Sequence, residues 1–215
     1  MKNILLIGLG RFGKTVAEEL DKLGHQVMAV DRNERCVNET LDFVTGAQIG
    51  NTTNIEFLKG LGIDNYDVCI VTIKNDFQSS LETTALLKDL GAKFVVSRAT
   101  SDFHARFLLR NGADKIIYPE KQMAKWTAVR YSSNHMLDYV QLDENISIFE
   151  LDVPSAWVGK TVAQIDVRKK YNINILGMFT NGKLSVTMGP DTVFSAEHPI
   201  LVLGNYKDVQ KCFKL

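Results

Sequence analysis

The stretch GLGRFGKT, which begins at Gly8, constrains the fold more than any other part of the sequence. It fits G-x-G-x-x-G, the phosphate-binding turn of dinucleotide-binding folds, through Gly8, Gly10 and Gly13. It also fits the P-loop pattern G-x-x-x-x-G-K-[ST], because Lys14 and Thr15 follow the last glycine. The two motifs belong to different folds, so the residues beyond the turn have to decide between them.

An acidic residue at the end of the second apolar run favours the dinucleotide-binding fold. Asp31 follows Val27–Val30 and lies about 20 residues beyond the glycine turn, where such a fold places the acid that binds a ribose. Gly10, which a P-loop does not require, lets a phosphate approach the backbone, and Gly13 lets the helix pack closely on the strand. We therefore predict a Rossmann turn and treat the P-loop match as coincidental.

Residues around this turn predict which nucleotide it holds. Asp31 is expected to accept both ribose hydroxyls of an adenosine and to repel a 2′-phosphate, although the neighbouring Arg32 leaves NADP open. Arg11 lies at the helix N-terminus, where a terminal phosphate gains more from a guanidinium than a pyrophosphate bridge does. The alternative is that Arg11 is a solvated surface residue. Phe12, the next residue of the turn, belongs to the same candidate site.

The first half of the chain alternates short apolar runs with amphipathic patterns such as Phe12–Leu23. Six apolar strands that alternate with helices predict a parallel sheet covered on both faces, so we expect a doubly wound α/β domain of the Rossmann type over residues 1–134. Thr53 and Glu56 form a capping-box pattern before a helix at Ile55–Leu61. The predicted strands are Asn3–Ile7, Gln26–Val30, Val44–Ile49, Val68–Thr72, Phe94–Ser97 and Lys115–Tyr118.

Residues 135–215 predict a second, small α+β domain. It follows a helical stretch, Glu120–Asn134, whose apolar side chains are expected either to enter the core or to contact a partner. Asn181 and Gly182 lie between two alternating runs, a strong signal for a type I′ hairpin. The predicted elements are the strands Ile146–Val153, Ile173–Phe179, Lys183–Met188 and Ile200–Leu203, with helices Val162–Tyr171 and Tyr206–Phe213.

The composition excludes several classes of partner and site. The formal net charge is zero and the pI is near 6.9, so no basic field attracts nucleic acid or anionic lipid. No apolar run approaches the roughly 18 to 20 residues of a membrane span, and the chain passes from Met1 directly into a strand, so we expect no signal peptide. The three cysteines are widely spaced, which favours a reducing, cytoplasmic environment over a zinc or disulfide framework.

Catalytic motifs are not recognisable in the sequence. No tyrosine is followed by a lysine four residues on, no G-x-S-x-G occurs, and the four histidines lack metal-ligand spacing. His104 is expected to be solvated on a surface helix. A nucleotide-binding domain without a catalytic pair favours a sensor that is not an enzyme. The alternative is an NAD(H)-binding oxidoreductase or redox sensor whose catalytic residues escape recognition.

Five segments in fixed order resemble one family. They are GLGRFG at the start, VMAVDRN around Asp31, GNTTN at Gly50–Asn54, LGIDNYDVCIVTI at Leu61–Ile73 and NGADKIIYPEKQMA at Asn111–Ala124. A further segment, IDVRKKYNINILG at Ile165–Gly177, resembles the C-terminal lobe of the same family. Together they resemble the RCK (or KTN) domains of the cytosolic gating subunits of Ktr and Trk potassium uptake systems, over nearly the whole chain.

The resemblance implies a regulatory role and an assembly. The Rossmann lobe would dimerise through a crossing helix, and the dimers would form a homo-octameric ring on the cytoplasmic face of a membrane-embedded potassium-translocating subunit. ATP and ADP would exchange in the Rossmann site, where NAD(H) can also bind. Arg11 would reach the terminal phosphate and Asp31 the ribose, Asn51 and Thr52 would lie near the adenosine, and Arg98 would face the phosphates.

The resemblance also implies two further sites. Glu120 matches a glutamate that helps to bind a divalent cation, Mg²⁺ or Ca²⁺, at the dimer interface; the alternative is an acid that favours the dipole of its helix. Arg168, Asn174 and Pro190 match positions that bind cyclic di-AMP where two C-terminal lobes meet, the arginine toward phosphate and the others toward the base. Alternatively, Arg168 is a helix-end cation and Pro190 a turn residue.

Overall fold

A computed structural model describes residues 1–214 of the chain as two compact units. The first unit is Met1–Lys121 and the second begins at Gln122. The sequence places the boundary after residue 134, whereas the structure assigns most of the intervening helix to the second unit. Within the described residues, every helix is too short or too polar to cross a lipid bilayer.

The first unit is a six-stranded parallel sheet in the order β3-β2-β1-β4-β5-β6 with helices between the strands. This order is that of the dinucleotide-binding fold, and it confirms the predicted Rossmann domain. The strands are β1 Asn3–Ile7, β2 Gln26–Asp31, β3 Gly46–Ile49, β4 Val68–Val71, β5 Val95–Arg98 and β6 Lys115–Ile117. The helices are α1 Arg11–Lys22, α2 Glu34–Asn38, α3 Ile55–Gly60, α4 Phe77–Asp89, α5 Asp102–Arg110 and the start of α6 Pro119–Arg130.

Strand β1 lies at the centre of this sheet and packs on both faces. Leu5 and Ile7 belong to one core cluster, and Leu6, between them in sequence, belongs to another. Successive side chains of a strand point to opposite faces, so an unbroken apolar run is what a strand covered on both faces requires. The order of strands reverses between β1 and β4, and their carboxyl ends therefore open a crevice at this point of the sheet.

Two local predictions in the first unit are wrong. Helix α3 is capped by Asn54, not by Thr53: the Asn54 side chain accepts a hydrogen bond from the backbone N–H of Glu56 at 2.9 Å. An asparagine caps a helix as well as a threonine does, and here it lies directly before the first helical residue. His104 is not solvated, because it is only 1% exposed and packs against the Phe77 ring at a centroid distance of 4.7 Å.

The second unit contains a five-stranded sheet in the order β10-β9-β11-β8-β7, in which every pairing is antiparallel. Its core includes Phe149, Ile173 and Phe194. The backbone of Asn181 and Gly182 is left-handed, with φ of 52° and 74°, which confirms the predicted hairpin. The elements are β7 Met136–Gln141, β8 Ile146–Leu151, α7 Val162–Ile165, α8 Val167–Tyr171, β9 Asn174–Thr180, β10 Lys183–Ser185, β11 Ile200–Asn205 and α9 Tyr206–Phe213.

The sequence misses two features of this unit. The sequence pattern does not predict strand β7, although this strand pairs with β8 along most of its length. The single helix expected at Val162–Tyr171 is two short helices, because Asp166 adopts a left-handed conformation with φ of 50° and ends the first of them. Aspartate is uncommon in the left-handed conformation, and the apolar periodicity does not predict this break in the helix.

Candidate nucleotide-binding site

A cavity of about 720 Å³ opens at the carboxyl edge of the first unit's sheet. Its size lies within the range of small-molecule sites, about 300 to 1,000 Å³. The glycine turn after β1, the residues after β2 and β4, and the start of α6 all contribute to its wall. The structure places nine of the ten predicted nucleotide residues on this wall: Gly8, Gly10, Arg11, Phe12, Asp31, Arg32, Asn51, Thr52 and Arg98.

The tenth residue, Gly13, lies behind the turn and supports it. A Cβ atom at Gly13 would overlap the carbonyl oxygen of Gly8 and lie 2.8 Å from Thr72 Oγ1. The Thr72 hydroxyl donates a hydrogen bond to that same carbonyl. Gly8 itself is left-handed, with φ of 93°, a conformation that favours glycine. These contacts fix the turn tightly against β4.

The N-terminus of α1 faces outward from this turn with no side-chain cap. Gly10 is the N-cap residue, no side chain of the described residues bonds to the first-turn N–H groups, and the first turn contains no acid. A Cβ atom at Gly10 would meet nothing within 4 Å, so the space in front of the helix is open. Unbonded N–H groups and the helix dipole both favour an anion at such a position.

The carboxylate of Asp31 is oriented by the backbone. Its Oδ2 accepts a hydrogen bond from the N–H of Leu9 at 2.6 Å, and its Oδ1 accepts one from Asn33 at 2.8 Å. A carboxylate has about four acceptor sites, so each oxygen keeps capacity for one more donor. The arrangement therefore ties the ribose candidate to the glycine turn and leaves it able to accept two hydroxyl groups.

Four cations surround the cavity at different depths. Arg11 and Arg32 are exposed, and Arg32 pairs with Asp76 at 3.5 Å. Arg98 is only 7% exposed; its guanidinium lies 4.8 Å from the centroid of the Phe12 ring, and its buried Nε has no hydrogen-bond partner among the described residues. A buried donor left unbonded is costly, and Glu120 bonds to a different nitrogen of this guanidinium, Nη2. The fourth cation is Lys74.

Glu120 pairs with two of these cations through a single oxygen. Its Oε1 lies 2.6 Å from Arg98 Nη2 and 3.2 Å from Lys74 Nζ. Its own backbone N–H, and then Lys74 and Arg98, lower the pKa of this carboxyl against the opposing effect of desolvation. Among the described residues, no three His, Cys, Asp or Glu side chains are arranged to hold a metal ion. The surroundings of Glu120 in one chain thus fit an anion and do not fit a divalent cation, and a cation shared with a second chain stays a prediction.

Asn51 and Thr52, the two residues expected near the adenosine, differ in the hydrogen-bonding groups that they can offer a ligand. The Thr52 hydroxyl is buried and bonded to the Thr83 hydroxyl at 2.8 Å, so it joins the loop after β3 to helix α4. The Asn51 side-chain oxygen accepts hydrogen bonds from the backbone and hydroxyl of Thr53. Asn51 therefore presents its amide nitrogen, a donor, to a ligand.

The sequence missed the residues that follow β4. Thr72, Lys74 and Asp76 line the cavity next to the glycine turn, and Asp76 also caps α4 through the backbone N–H of Ser79. The available signal was the segment TIKND immediately after a buried strand. It becomes a site signal only when β4 is known to lie beside β1, where the order of strands reverses.

Cys36 also lines this cavity, but its chemistry is unsuited to a reactive thiol. Burial, followed by the nearby charge of Asp31, raises the pKa of the Cys36 thiol. A thiol with a raised pKa contains little of the nucleophilic thiolate form. No histidine among the described residues, 1–214, lines the cavity. Its groups can bind and orient an anionic ligand.

In the second unit, two of the three cyclic di-AMP candidates contact each other. Arg168 Nε donates a hydrogen bond to the side-chain oxygen of Asn174 at 2.7 Å, and Arg168 is exposed. Pro190 is also exposed, and its carbonyl accepts a hydrogen bond from Ala163 of α7. The contact holds the arginine at the start of β9, and a role for these residues in ligand binding stays a prediction.

Comparison with known proteins supports this description of both units. Residues 4–119 match the TrkA-N domain and residues 146–215 match the TrkA-C domain. The Ktr system potassium uptake protein C of Bacillus subtilis (strain 168) is 37% identical over 210 residues, covering 98% of this chain and 95% of that protein.

Two solved structures share the fold. The GsuK channel bound to NAD superimposes with a TM-score of 0.68 at 18% identity, over 96% of this chain and 38% of that one. GsuK bound to ADP superimposes with a TM-score of 0.52 at 16% identity, over 61% and 35%. This chain thus spans less than half the length of either solved chain. Its two domains and its near-complete match to the Bacillus protein show that it belongs to the TrkA-domain family of Ktr and Trk potassium uptake proteins.

Proposed function

We propose that this chain is the nucleotide-sensing gating subunit of a potassium uptake system. The observation that carries the proposal is the cavity in the first unit, where an uncapped helix N-terminus, the oriented Asp31 carboxylate and the buried Arg98 face one space. The helix N-terminus and Arg98 suit the phosphates of a nucleotide, and Asp31 suits its ribose. Membership of the Ktr and Trk family supplies the context of potassium uptake.

The ligand proposed for this site is ATP or ADP, with NAD(H) as a competitor. The cations around the cavity favour a ligand with a terminal phosphate, because a guanidinium forms strong, geometrically matched bonds to phosphate oxygens. GsuK, which shares the fold, has been solved with NAD and with ADP, so both ligand types are compatible with this architecture. The chain itself binds and does not transform the nucleotide.

The proposed partner is a membrane-embedded potassium-translocating subunit, which the chain would contact from the cytoplasm as a homodimer assembled into a homo-octameric ring. Cyclic di-AMP at Arg168, Asn174 and Pro190 and a divalent cation at Glu120 of two chains belong to the same proposal. A nucleotide would control transport by its different affinity for two conformations of the ring, which is the only way a ligand shifts such an equilibrium.

Calorimetric titration of the nucleotide-stripped protein tests the ligand first. Tight ATP binding that NADH barely disturbs is the expected result, and reconstitution of potassium transport with the membrane subunit would then test control. Tight NADH binding with negligible affinity for ATP would contradict the proposal and favour an oxidoreductase or redox sensor.

A further inference from the structure

Arg32 and Asp76 form an ion pair that joins two sides of the nucleotide cavity. Arg32 follows β2 and Asp76 follows β4, and these two strands lie on opposite sides of β1 in the sheet. Arg32 Nη1 lies 3.5 Å from Asp76 Oδ2, and both residues line the cavity together with the glycine turn that follows β1. The pair therefore links the β2 side of the cavity to the β4 side, directly after the ribose candidate Asp31 in the sequence.

The acid of this pair is held in place, whereas the arginine is exposed. Asp76 Oδ1 accepts a hydrogen bond from the backbone N–H of Ser79 at 2.9 Å, as the N-cap of α4, and its Oδ2 accepts one from the Ser79 hydroxyl at 2.7 Å. These bonds, and to a smaller extent Arg32, lower the pKa of the Asp76 carboxyl against the opposing effect of desolvation. The Arg32 side chain is 72% exposed, and that of Asp76 is 33% exposed. A charged, anchored carboxylate thus sets the position of a long and otherwise solvated side chain.

The pair also sets the charge that a substituent on the 2′ position of the ribose would meet. In dinucleotide-binding folds an acid at the end of the second strand binds the 2′-hydroxyl, and a nearby arginine accommodates a 2′-phosphate. This chain has the two groups side by side, as Asp31 and Arg32, so their order in the sequence does not decide between the two ligands. In the structure Asp76 balances the charge of Arg32, which leaves the negative charge of Asp31 unbalanced.

We propose that Asp76 is a positioning residue that keeps Arg32 from binding a 2′-phosphate, and so makes the site selective for nucleotides with a free 2′-hydroxyl. This inference rests on the proposed function, since it concerns the same cavity. It deepens that function by assigning ligand selectivity to a residue outside the strand–helix–strand unit that contains the glycine turn. Nucleotides such as ATP, ADP and NAD(H) fit this site, and NADP(H) does not.

Asp76→Asn tests the role, because asparagine removes the charge and keeps the cap. Asparagine is as good an N-cap residue as aspartate, so α4 should retain its first turn. Calorimetric titrations, run by displacement of bound ADP, would compare AMP with 2′-phospho-AMP, two probes that differ only in the 2′-phosphate. Affinity for 2′-phospho-AMP relative to AMP should rise about fivefold, the upper range for an exposed ion pair. Asp76→Ser also provides an N-cap and should give the same gain.

Two further variants separate the arginine from a general effect of charge. Glu39→Gln is the matched control, because it releases another exposed arginine, Arg35, from an ion pair of 2.8 Å. Arg35 does not line the cavity, so the ratio of the two affinities should stay unchanged. In the double variant Arg32→Gln/Asp76→Asn most of the gain should disappear, because the group that binds the 2′-phosphate is absent.

Three results would overturn the inference. An unchanged ratio in Asp76→Asn would show that this carboxylate does not control the 2′ position. An equal gain for AMP would show an effect on the whole ligand, and a full gain in the double variant would show that Arg32 takes no part. A wild type that binds AMP, ADP and ATP negligibly would instead refute the proposed function, so the two failures are distinguishable.

Discussion

Substituting Gly13 by alanine should destabilise the first unit, although alanine is the better helix former. In a helix interior the exchange gains at most about 1 kcal/mol. Here the new Cβ overlaps the Gly8 carbonyl oxygen and approaches Thr72 Oγ1 to 2.8 Å. Neither atom can move easily, because the Gly8 N–H donates a hydrogen bond to the Val30 carbonyl at 2.8 Å and Thr72 is buried. Overpacking of a tight site costs about 1–3 kcal/mol, so we expect a net loss of about 1–2 kcal/mol.

Gly10→Ala is the matched control, because it places the same methyl group three residues away in open space. Gly10 has an ordinary φ of −64°, and its Cβ would meet nothing within 4 Å. Alanine is a poor N-cap residue, but the lower entropy of the unfolded chain offsets this, so stability should change by less than about 0.5 kcal/mol. The methyl group would nevertheless occupy the space in front of the helix, and ATP affinity should fall by at least about tenfold.

Urea unfolding followed by two probes measures this difference. Both tryptophans, Trp126 and Trp157, belong to the second unit, so their emission reports on that unit, while far-UV circular dichroism reports on both. With a slope of about 2 kcal/mol per molar urea, Gly13→Ala should lower the dichroism midpoint by roughly half to one molar. Equal losses of stability in the two variants, or normal ATP binding by Gly10→Ala, would refute this reasoning. Gly13 would then not be the structural glycine of the turn, or Gly10 would not be the one that faces phosphate.

Three further predictions concern single side chains. Arg11→Ala should narrow the difference between ATP and ADP affinity more than it weakens ADP binding. Calorimetry that shows equal losses of affinity for ATP and for ADP would contradict this. Thr72→Val keeps the shape but removes the donor to the Gly8 carbonyl, and should cost about 1–2 kcal/mol in urea unfolding. Burial lowers the pKa of His104 below 6.5, so its contribution to stability is complete above that pH and is lost as pH falls through the lower folded-state pKa. His104→Gln should therefore lose less stability than the wild type as the pH falls below about 6.5.

The sequence predicts the part of the site that is local in the chain. The glycine turn and Asp31 belong to one strand–helix–strand unit, and the hydrogen bond from Leu9 to Asp31 joins them directly. Lys74 and Asp76 could not be predicted in the same way, because their place depends on β4 pairing with β1 across more than 60 residues. The pairing of strands that are distant in sequence depends on the topology of the whole sheet. The spacing of residues within a motif gives no information about it.

His104 shows a different kind of failure, since its signal was present in the sequence. Leu108 lies four residues further along α5 and is fully buried, so the two side chains share the inner face of the helix. The polarity of histidine favours an exposed position, whereas this spacing predicts burial. The ring contacts Phe77, and its Nδ1 atom lies 3.4 Å from the backbone nitrogen and 3.2 Å from the hydroxyl of Thr100. The buried Nε2 atom has no hydrogen-bond partner among the described residues. Helix periodicity was therefore a better guide here than residue type.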